Sequence, residues 1–427
     1  MKLELGNIFV KDVRFGDQTE VREGTVYVNK AELLQVIADE RLKCRDIHIV
    51  KPGQSVRLCP VKDVLEPRVK VEGPGSVFPG FSGDVTMVGE GRTHVLKGMT
   101  VITVGNIVGF QEGIIDMTGP GAEYTPFSQT INLVLDLEKT TGIKQHEHEE
   151  AVRMAGLKAA RYAAEAARKA DPDEILTFET KPVPRQHEEF PDLPKVAYVY
   201  MLQTQGLLHD TYLYGVDVKR ILPTFLFPTE VMDGAIVSGN CVSACDKNTT
   251  YHHLNSPVIY DLYDRHGKDL NFIGVVVTNE NVTLAEKERS SNFCAKLVQS
   301  LGVDGVIITE EGFGNPDTDL IMNCKKIEQL GIKTVLITDE YAGQDGASQS
   351  LADSDPLADA VVSAGNANML ITLPAMEKVI GFDEAANIIA GGFANSLKED
   401  GSVEVELQSI IGATNELGFN PMGAVGK

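Results

Sequence analysis

The chain has no tryptophan, only 6% aromatic residues, and six cysteines in 427 residues. Cysteines spread that thinly, at Cys44, Cys59, Cys241, Cys245, Cys294 and Cys324, argue against a disulfide scaffold and fit a reducing compartment. Positive charge is scarce as well: 39 Lys and Arg face 61 Asp and Glu, a net charge of −22. A surface for nucleic acid or an anionic membrane needs clustered Lys and Arg to meet phosphates, so neither partner is expected. Long apolar runs are missing too. The opening MKLELGNIFVKDVRFGD puts Lys, Glu and Asp where a signal peptide needs an unbroken apolar stretch, and no later run approaches ~18 uncharged apolar residues. A cytoplasmic location is expected.

What is present is a globular composition, 43% hydrophobic and 23% charged. At about 150 residues per domain the length suggests two or three domains. Residues 1–135 read as a β-rich domain, with strands expected at Leu3–Val10, Thr25–Val28, Asp46–Val50 and Val101–Val108 and one helix at Ala31–Leu42. Gly-Pro and Pro-Gly pairs around Gly73–Gly80 and Gly119–Gly121 mark turns. Residues 136–240 read as a helix and a connector. The helix, Gln145–Lys169, is rich in Ala, Glu, Lys and Arg. A strand at Ile175–Glu179, an extended proline-rich stretch KPVPRQHEEFPDLPK and a strand at Val196–Leu202 follow.

Residues 241–427 read as an α/β domain. Strands are expected at Phe272–Thr278, Gly305–Thr309, Thr334–Thr338 and Ala360–Ser363, with helices at Leu284–Leu301 and Asp317–Leu330. The fold class is therefore α/β: a β-rich amino-terminal half plus a doubly wound parallel sheet with helices on both faces. Each of these strands runs into a polar cluster: Thr278-Asn279-Glu280, Thr309-Glu310-Glu311, Thr338-Asp339-Glu340 and Ser363-Ala364-Gly365-Asn366. Such clusters either line a ligand crevice at the carboxyl ends of strands or simply cap helices and form turns. No GxGxxG follows a strand and no GxxxxGK[ST] occurs, so a nucleotide site is not expected.

The stretch from Met232 to Asn271 carries the chemistry: Ser238-Gly239-Asn240-Cys241, then a polar tract with His252 and His253. Three readings stand side by side. Cys241 is a buried thiol in an ordinary loop. Alternatively, Cys241, Cys245, His252 and His253 hold a metal, although adjacent histidines suit one tetrahedral centre poorly. In the third reading, a thiol beside a small, flexible Gly-Asn pair attacks the preceding carbonyl, the nucleophilic step of self-processing.

The run SGNCVSACDKNTTYHHLNSPVIYDLYDRHGKDLN is preceded by VAYVYMLQTQGLLHDTYLYGVD and followed by TNENVTLAEKERSSNFCAKLVQSLGVDGVIITEEGFGNPDTDLIMNCKK. Together they closely resemble the alpha/beta subunit precursor of component B of glycine/sarcosine/betaine reductases, most of all the glycine form. MKLELGNIFVKDVRFG, EPRVKVEG, GRTH and GFQEGIIDM extend the resemblance over essentially the whole chain.

The resemblance implies cleavage before a cysteine that becomes a covalently bound pyruvoyl group, here at the Asn240–Cys241 bond, with no metal. It implies a reductive deaminase subunit of a Stickland-type amino-acid fermentation. The amino-acid substrate would be bound as a Schiff base, which draws electrons from the α carbon and makes C–N cleavage feasible. The chain has no selenocysteine, and the resemblance places that residue on a separate subunit of component B. The carboxymethyl group would pass to selenoprotein A and leave through component C as acetyl phosphate, with ammonia as co-product and thioredoxin or another dithiol as donor. A hetero-oligomer follows.

Around that bond, His209 in GLLHDTY and His252 or His253 are candidate proton carriers, since imidazole titrates near neutral pH. His209 beside Asp210 is equally a structural pair. Arg92 is a candidate for a two-pronged grip on the substrate carboxylate, or else an exposed loop arginine. The alternative function is a non-catalytic α/β binding or scaffold subunit in which the Cys241 loop stays intact.

Overall fold

The computed structural model describes residues 1–81, 83, 85–109, 112–205, 211–239, 248–347, 351–420 and 422–426, and its elements are those of the described residues. Beside a small sheet of Asp12–Phe15, Thr25–Val28 and Glu20–Arg22, alternating apolar positions in the amino-terminal half build two larger ones. One has the order Glu174–Glu179, Lys2–Phe9, Gly91–Lys97, Arg68–Glu72. The other runs Gly113–Asp116, Val56–Leu65, Met99–Gly105, Ile131–Lys139, Leu42–Val50, with Lys378–Gly381 added parallel to Val56–Leu65. Helix α1, Gln145–Glu165, packs its alanine face on this second sheet. A Cβ on Gly156 would come within 3.1 Å of Leu65 and Thr103, so the helix approaches the sheet closely there.

Val56–Leu65 is buried along its whole length although it carries Arg57, Lys62 and Asp63. Each charge is met. Arg57 grips Asp116 with Nε and Nη2 at 2.7 and 2.8 Å, Lys62 Nζ lies 3.2 Å from Glu112, and Asp63 accepts from Thr250. Removing one partner of a buried pair leaves a bare charge, so Asp116→Asn is expected to cost about 3–5 kcal/mol. The check is the urea midpoint at unchanged slope; a shift worth under about 1 kcal/mol would show that the pair carries little net weight.

A seven-stranded sheet dominates the other half. Its strands, numbered along the chain, are β1 Lys195–Leu202, β2 Thr224–Leu226, β3 Asn271–Asn279, β4 Gly305–Thr309, β5 Lys333–Glu340, β6 Ala360–Asn366 and β7 Gly423–Gly426. Across the sheet they run β2-β3-β1-β4-β5-β6-β7, the inner five parallel and both edges antiparallel. Period two splits β1 between two cores. Tyr198, Tyr200 and Leu202 face a layer that includes Leu3, Leu5 and Val95 of the four-stranded sheet and Ile259 and Leu262 of helix α3, Pro257–Arg265, which follows the short helix α2, Thr250–Leu254. Ala197, Val199 and Met201 face α4, Leu284–Ser300, and α5, Asn315–Glu328. Cys294 and Cys324 sit in this second core, and burial pushes the Cys294 thiol up to about 12.

The α/β class and the doubly wound sheet stand as the sequence implies, with the amino-terminal sheet sharing the second face with α3. Two local expectations need correction. The helix expected over Ala31–Leu42 ends at Val36, because Asp39 accepts from the Arg41 backbone and guanidinium and turns the chain into a strand at Leu42. The proline-rich connector holds a helix at Val183–Glu189, since prolines in a first turn give up no helical hydrogen bond. The three expected segments are also interleaved: β1 precedes residue 240, yet it is flanked by β3 and β4 from beyond it.

Candidate active site at the switch point of the sheet

Taken in chain order, the parallel strands lie second, first, third, fourth, fifth, so the chain leaves β1 on one side for β3 and returns across it to β4. At such a reversal the loops beyond the strand ends part, and ligands of open α/β sheets bind in the gap. The polar clusters sit there. Gln203 and Thr204 follow β1, Glu280 follows β3, and Glu310 and Glu311 follow β4, all of them buried.

Glu311 ties the loops together. Its carboxylate accepts the backbone N–H of Gln203 and of Asn248, each at 2.9 Å, and the Thr211 hydroxyl at 3.4 Å. Asn248 is further fixed through Oδ1 by Asn415 Nδ2 at 2.7 Å. Upstream, the Ser238 N–H donates to Thr250 Oγ1 at 3.1 Å, and Thr250 in turn donates its hydroxyl to Asp63 at 2.7 Å and its N–H at 2.9 Å. The flanks of residues 240–247 are therefore held by both halves of the fold. Asn240, Cys241 and Cys245 themselves, and His209, lie outside the described residues.

Glu280 Oε1 accepts the Glu311 N–H at 2.7 Å. Burial first, and the Glu311 charge second, hold the Glu280 carboxyl well above its ordinary 4.5. The sign of the consequence is set by linkage: above 4.5 the unfolded chain releases this proton and the folded chain keeps it, so stability falls as pH rises through that range. Glu280→Gln is expected to match the parent at pH 4 and exceed it at pH 7, by about 1.4 kcal/mol per pH unit up to the native pKa. Parallel pH–stability curves from chemical denaturation would refute this. Asp319 behaves similarly, raised by burial to about 6 despite its Lys287 partner.

Aromatic and imidazole groups lie fully buried beneath these strand ends. Tyr200 OH and His253 Nδ1 share a 2.7 Å hydrogen bond, Tyr198 OH and Thr309 Oγ1 one of 2.6 Å, and the two tyrosine rings stack at 5.0 Å. Burial holds both phenols well above their usual range, so they stay un-ionised. His252 turns away from its neighbour: its Nδ1 pairs with the Thr249 N–H and hydroxyl at 3.1 and 3.0 Å, and its ring packs on Phe419 and Phe127. Arg92 lies on the four-stranded sheet, its Nε and Nη2 on Glu4 at 2.9 and 2.6 Å. The structure thus pairs His253 with Tyr200 of β1 and leaves Arg92 on another sheet.

Glu280 and Glu311 were legible as strand-end clusters. Asn248, Thr250, Asp63, Asn415 and the β1 tyrosines were not: the tyrosines read as strand residues, and the rest meet only across 63 to 187 residues of chain. Among the described residues no group of three or more His, Cys, Asp or Glu is placed to hold a metal, and no helix is long and apolar enough to cross a membrane.

A doubly wound sheet with buried carboxylates gathered at its reversal, and with both flanks of residues 240–247 held there, defines an α/β protein. The chain belongs to the family of glycine/sarcosine/betaine reductase component B subunits, whose pattern it matches over residues 1–425. It is 65% identical over 427 residues to the glycine reductase complex component B subunits alpha and beta of Acetoanaerobium sticklandii, covering 99% of both chains. It is 58% identical over 425 residues to the sarcosine reductase complex component B subunit alpha of Peptoclostridium acidaminophilum, again 99% of both. More distantly, it is 24% identical over 360 residues to the D-proline reductase proprotein of A. sticklandii, covering 76% of this chain and 53% of that one. No solved structure matches the chain.

Proposed function

We propose that this chain is the proprotein of the pyruvoyl-containing subunits of an amino-acid reductase component B, cleaved between Asn240 and Cys241. The Cys241 thiol attacks the Asn240 carbonyl, breaking the C–N amide bond and forming a thioester. Loss of the Cys241 α proton then expels sulfur as a thiocarboxylate on residue 240 and leaves dehydroalanine, which exchanges its nitrogen for water and releases ammonia. Residues 1–240 become one chain and the rest the other.

The observation that supports this reading most is the pinning of Ser238 and Asn248 on either side of that bond, at the place where a doubly wound sheet binds ligands. The surroundings suit a small polar keto group. Ser238 Oγ, Asn248 Nδ2 and Glu280 Oε2 are buried and have no hydrogen-bond partner among the described residues. When present, the keto group supplies an electron sink for the amine of a glycine-like substrate. His253, oriented by Tyr200, is a candidate proton carrier, as are His209 and His252. A substrate carboxylate at Arg92 would have to displace Glu4. With no selenocysteine here, the nucleophile belongs to a partner subunit of component B; selenoprotein A then takes the carboxymethyl group, component C releases acetyl phosphate, and thioredoxin or another dithiol restores the reduced state in the cytoplasm.

Scaling 46.3 kDa by length gives chains of roughly 26 and 20 kDa on a denaturing gel. Borohydride with labelled glycine is expected to fix label on the smaller chain at residue 241 if glycine is the substrate, and borohydride with labelled betaine to fix none, because a quaternary amine cannot form an imine. Turnover by the complete complex without any glycine adduct would remove the keto group from the mechanism.

A further inference from the structure

A cavity of about 410 Å³ lies between the four-stranded sheet and helices α2 and α3, and Gln203, Glu280, Glu310 and Glu311 are not among its lining residues. Leu5, Leu176, Tyr251, Tyr260 and Phe419 supply apolar and aromatic walls, and Arg68 and Lys97 line it from below. The charges beneath it do not balance. Fully buried Glu66 accepts Arg68 Nε and Nη2 at 2.9 and 2.6 Å and also Lys97 Nζ at 3.0 Å, so two cations share one carboxylate. Asn255 adds no charge: its Oδ1 accepts from Arg68 at 3.0 Å and Lys97 at 2.9 Å, while its Nδ2 donates to Glu66 at 3.1 Å. The adjacent Lys70 and Asp233 neutralise each other. Glu174 at the rim is exposed, and Asn7 donates to it at 2.8 Å.

One positive charge is left over above the buried Glu66, on a Lys97 side chain that is one-third exposed at the cavity wall, where an incoming anion can reach it. Burial works against the Lys97 ammonium, but Glu66, with smaller help from Tyr251 and Tyr260, holds the amine above its usual range. Of its three protons, two have acceptors among the described residues, on Glu66 and Asn255. A monoanion completes both the charge count and the hydrogen bonding; a dianion would overshoot, with Glu174 repelling the excess.

We propose that this cavity is a second binding site, for a small organic monocarboxylate whose carboxylate rests on Lys97 and whose short apolar or aromatic body lies between Tyr251, Tyr260 and Leu176. Its place in the fold gives occupancy a route to β1. Tyr251 and Asn255 flank the cavity from α2 and its end, while His252 and His253 between them reach toward Phe419 and Tyr200.

The test is calorimetric titration of the full chain with phenylacetate, and with 2-phenylethanol as a neutral analogue of similar shape. Phenylacetate is expected to bind saturably, and 2-phenylethanol, or phenylacetate with Lys97→Met, roughly ten-fold or more weakly, since a charge-assisted hydrogen bond is lost. Leu176→Trp, a change on a half-buried edge-strand residue, fills the cavity without touching the ion cluster and is expected to abolish binding even if Lys97→Met folds poorly. Equal binding of acid and alcohol, phenylacetate binding untouched by Leu176→Trp, or no saturable binding by phenylacetate, acetate or octanoate overturns the proposal.

Discussion

Cys241→Ala is expected to run as a single chain of 46.3 kDa under denaturing conditions and to leave the assembled complex without amino-acid reduction. Alanine has no nucleophile for the acyl shift and no leaving group for the elimination, so both halves of the conversion stop. Cys241→Ser separates the two. A hydroxyl attacks more slowly, yet elimination from the ester gives the same dehydroalanine, so slow cleavage with the same smaller chain and some recovered activity is expected. Intact-mass spectrometry reads all three proteins. Two chains from the alanine variant would place the cut, or its chemistry, elsewhere.

Residues 1–240 and 241–427 produced as separate polypeptides are expected to be insoluble or unfolded, whereas protein cut after folding stays together through size-exclusion chromatography and separates only in denaturant. The reason is β1. It enters the seven-stranded sheet between β3 and β4, and its side chains from Ala197 to Leu202 are all fully buried. Withdrawing that strand strips apolar burial on the order of 10 kcal/mol from the sheet, comparable with the whole stability of about 5–15 kcal/mol of a typical domain. A cooperative thermal transition from residues 241–427 alone would show that the sheet tolerates its loss.

Much of the framework was legible because its signals are local. The β-branched runs of β3, β4 and β5, and the helices α4 and α5 between them, announce themselves by period and by capping residues such as Thr283, whose hydroxyl accepts the Glu286 N–H. The strand-end acids could be flagged for the same reason. What stayed hidden depends on partners far away in sequence. Val56–Leu65 resists reading because Arg57, Lys62 and Asp63 look like surface residues, and only Asp116, Glu112 and Thr250 make their burial tolerable. The strand Lys378–Gly381 belongs to a sheet more than 300 residues behind it, which no window of sequence can indicate. Glu311 was visible as an acid after a strand, but its role as a clamp on Gln203 and Asn248 needs the reversal of strand order to be known first.

On one side of residues 240–247 the described chain is moored to Asp63, in the amino-terminal core, through Ser238 and Thr250, and on the other Asn248 is moored to Glu311 and Asn415, in the carboxy-terminal one. A nascent chain with only one core complete can offer only one mooring. If cleavage needs both, the broken bond becomes a permanent record that the entire body was assembled before it was cut. On that condition a polypeptide that stalled halfway would keep its peptide bond and would never acquire the proposed reactive carbonyl. Inspection and activation would then be one event, and defective copies would be inert from the outset, with no later step needed to sort them out.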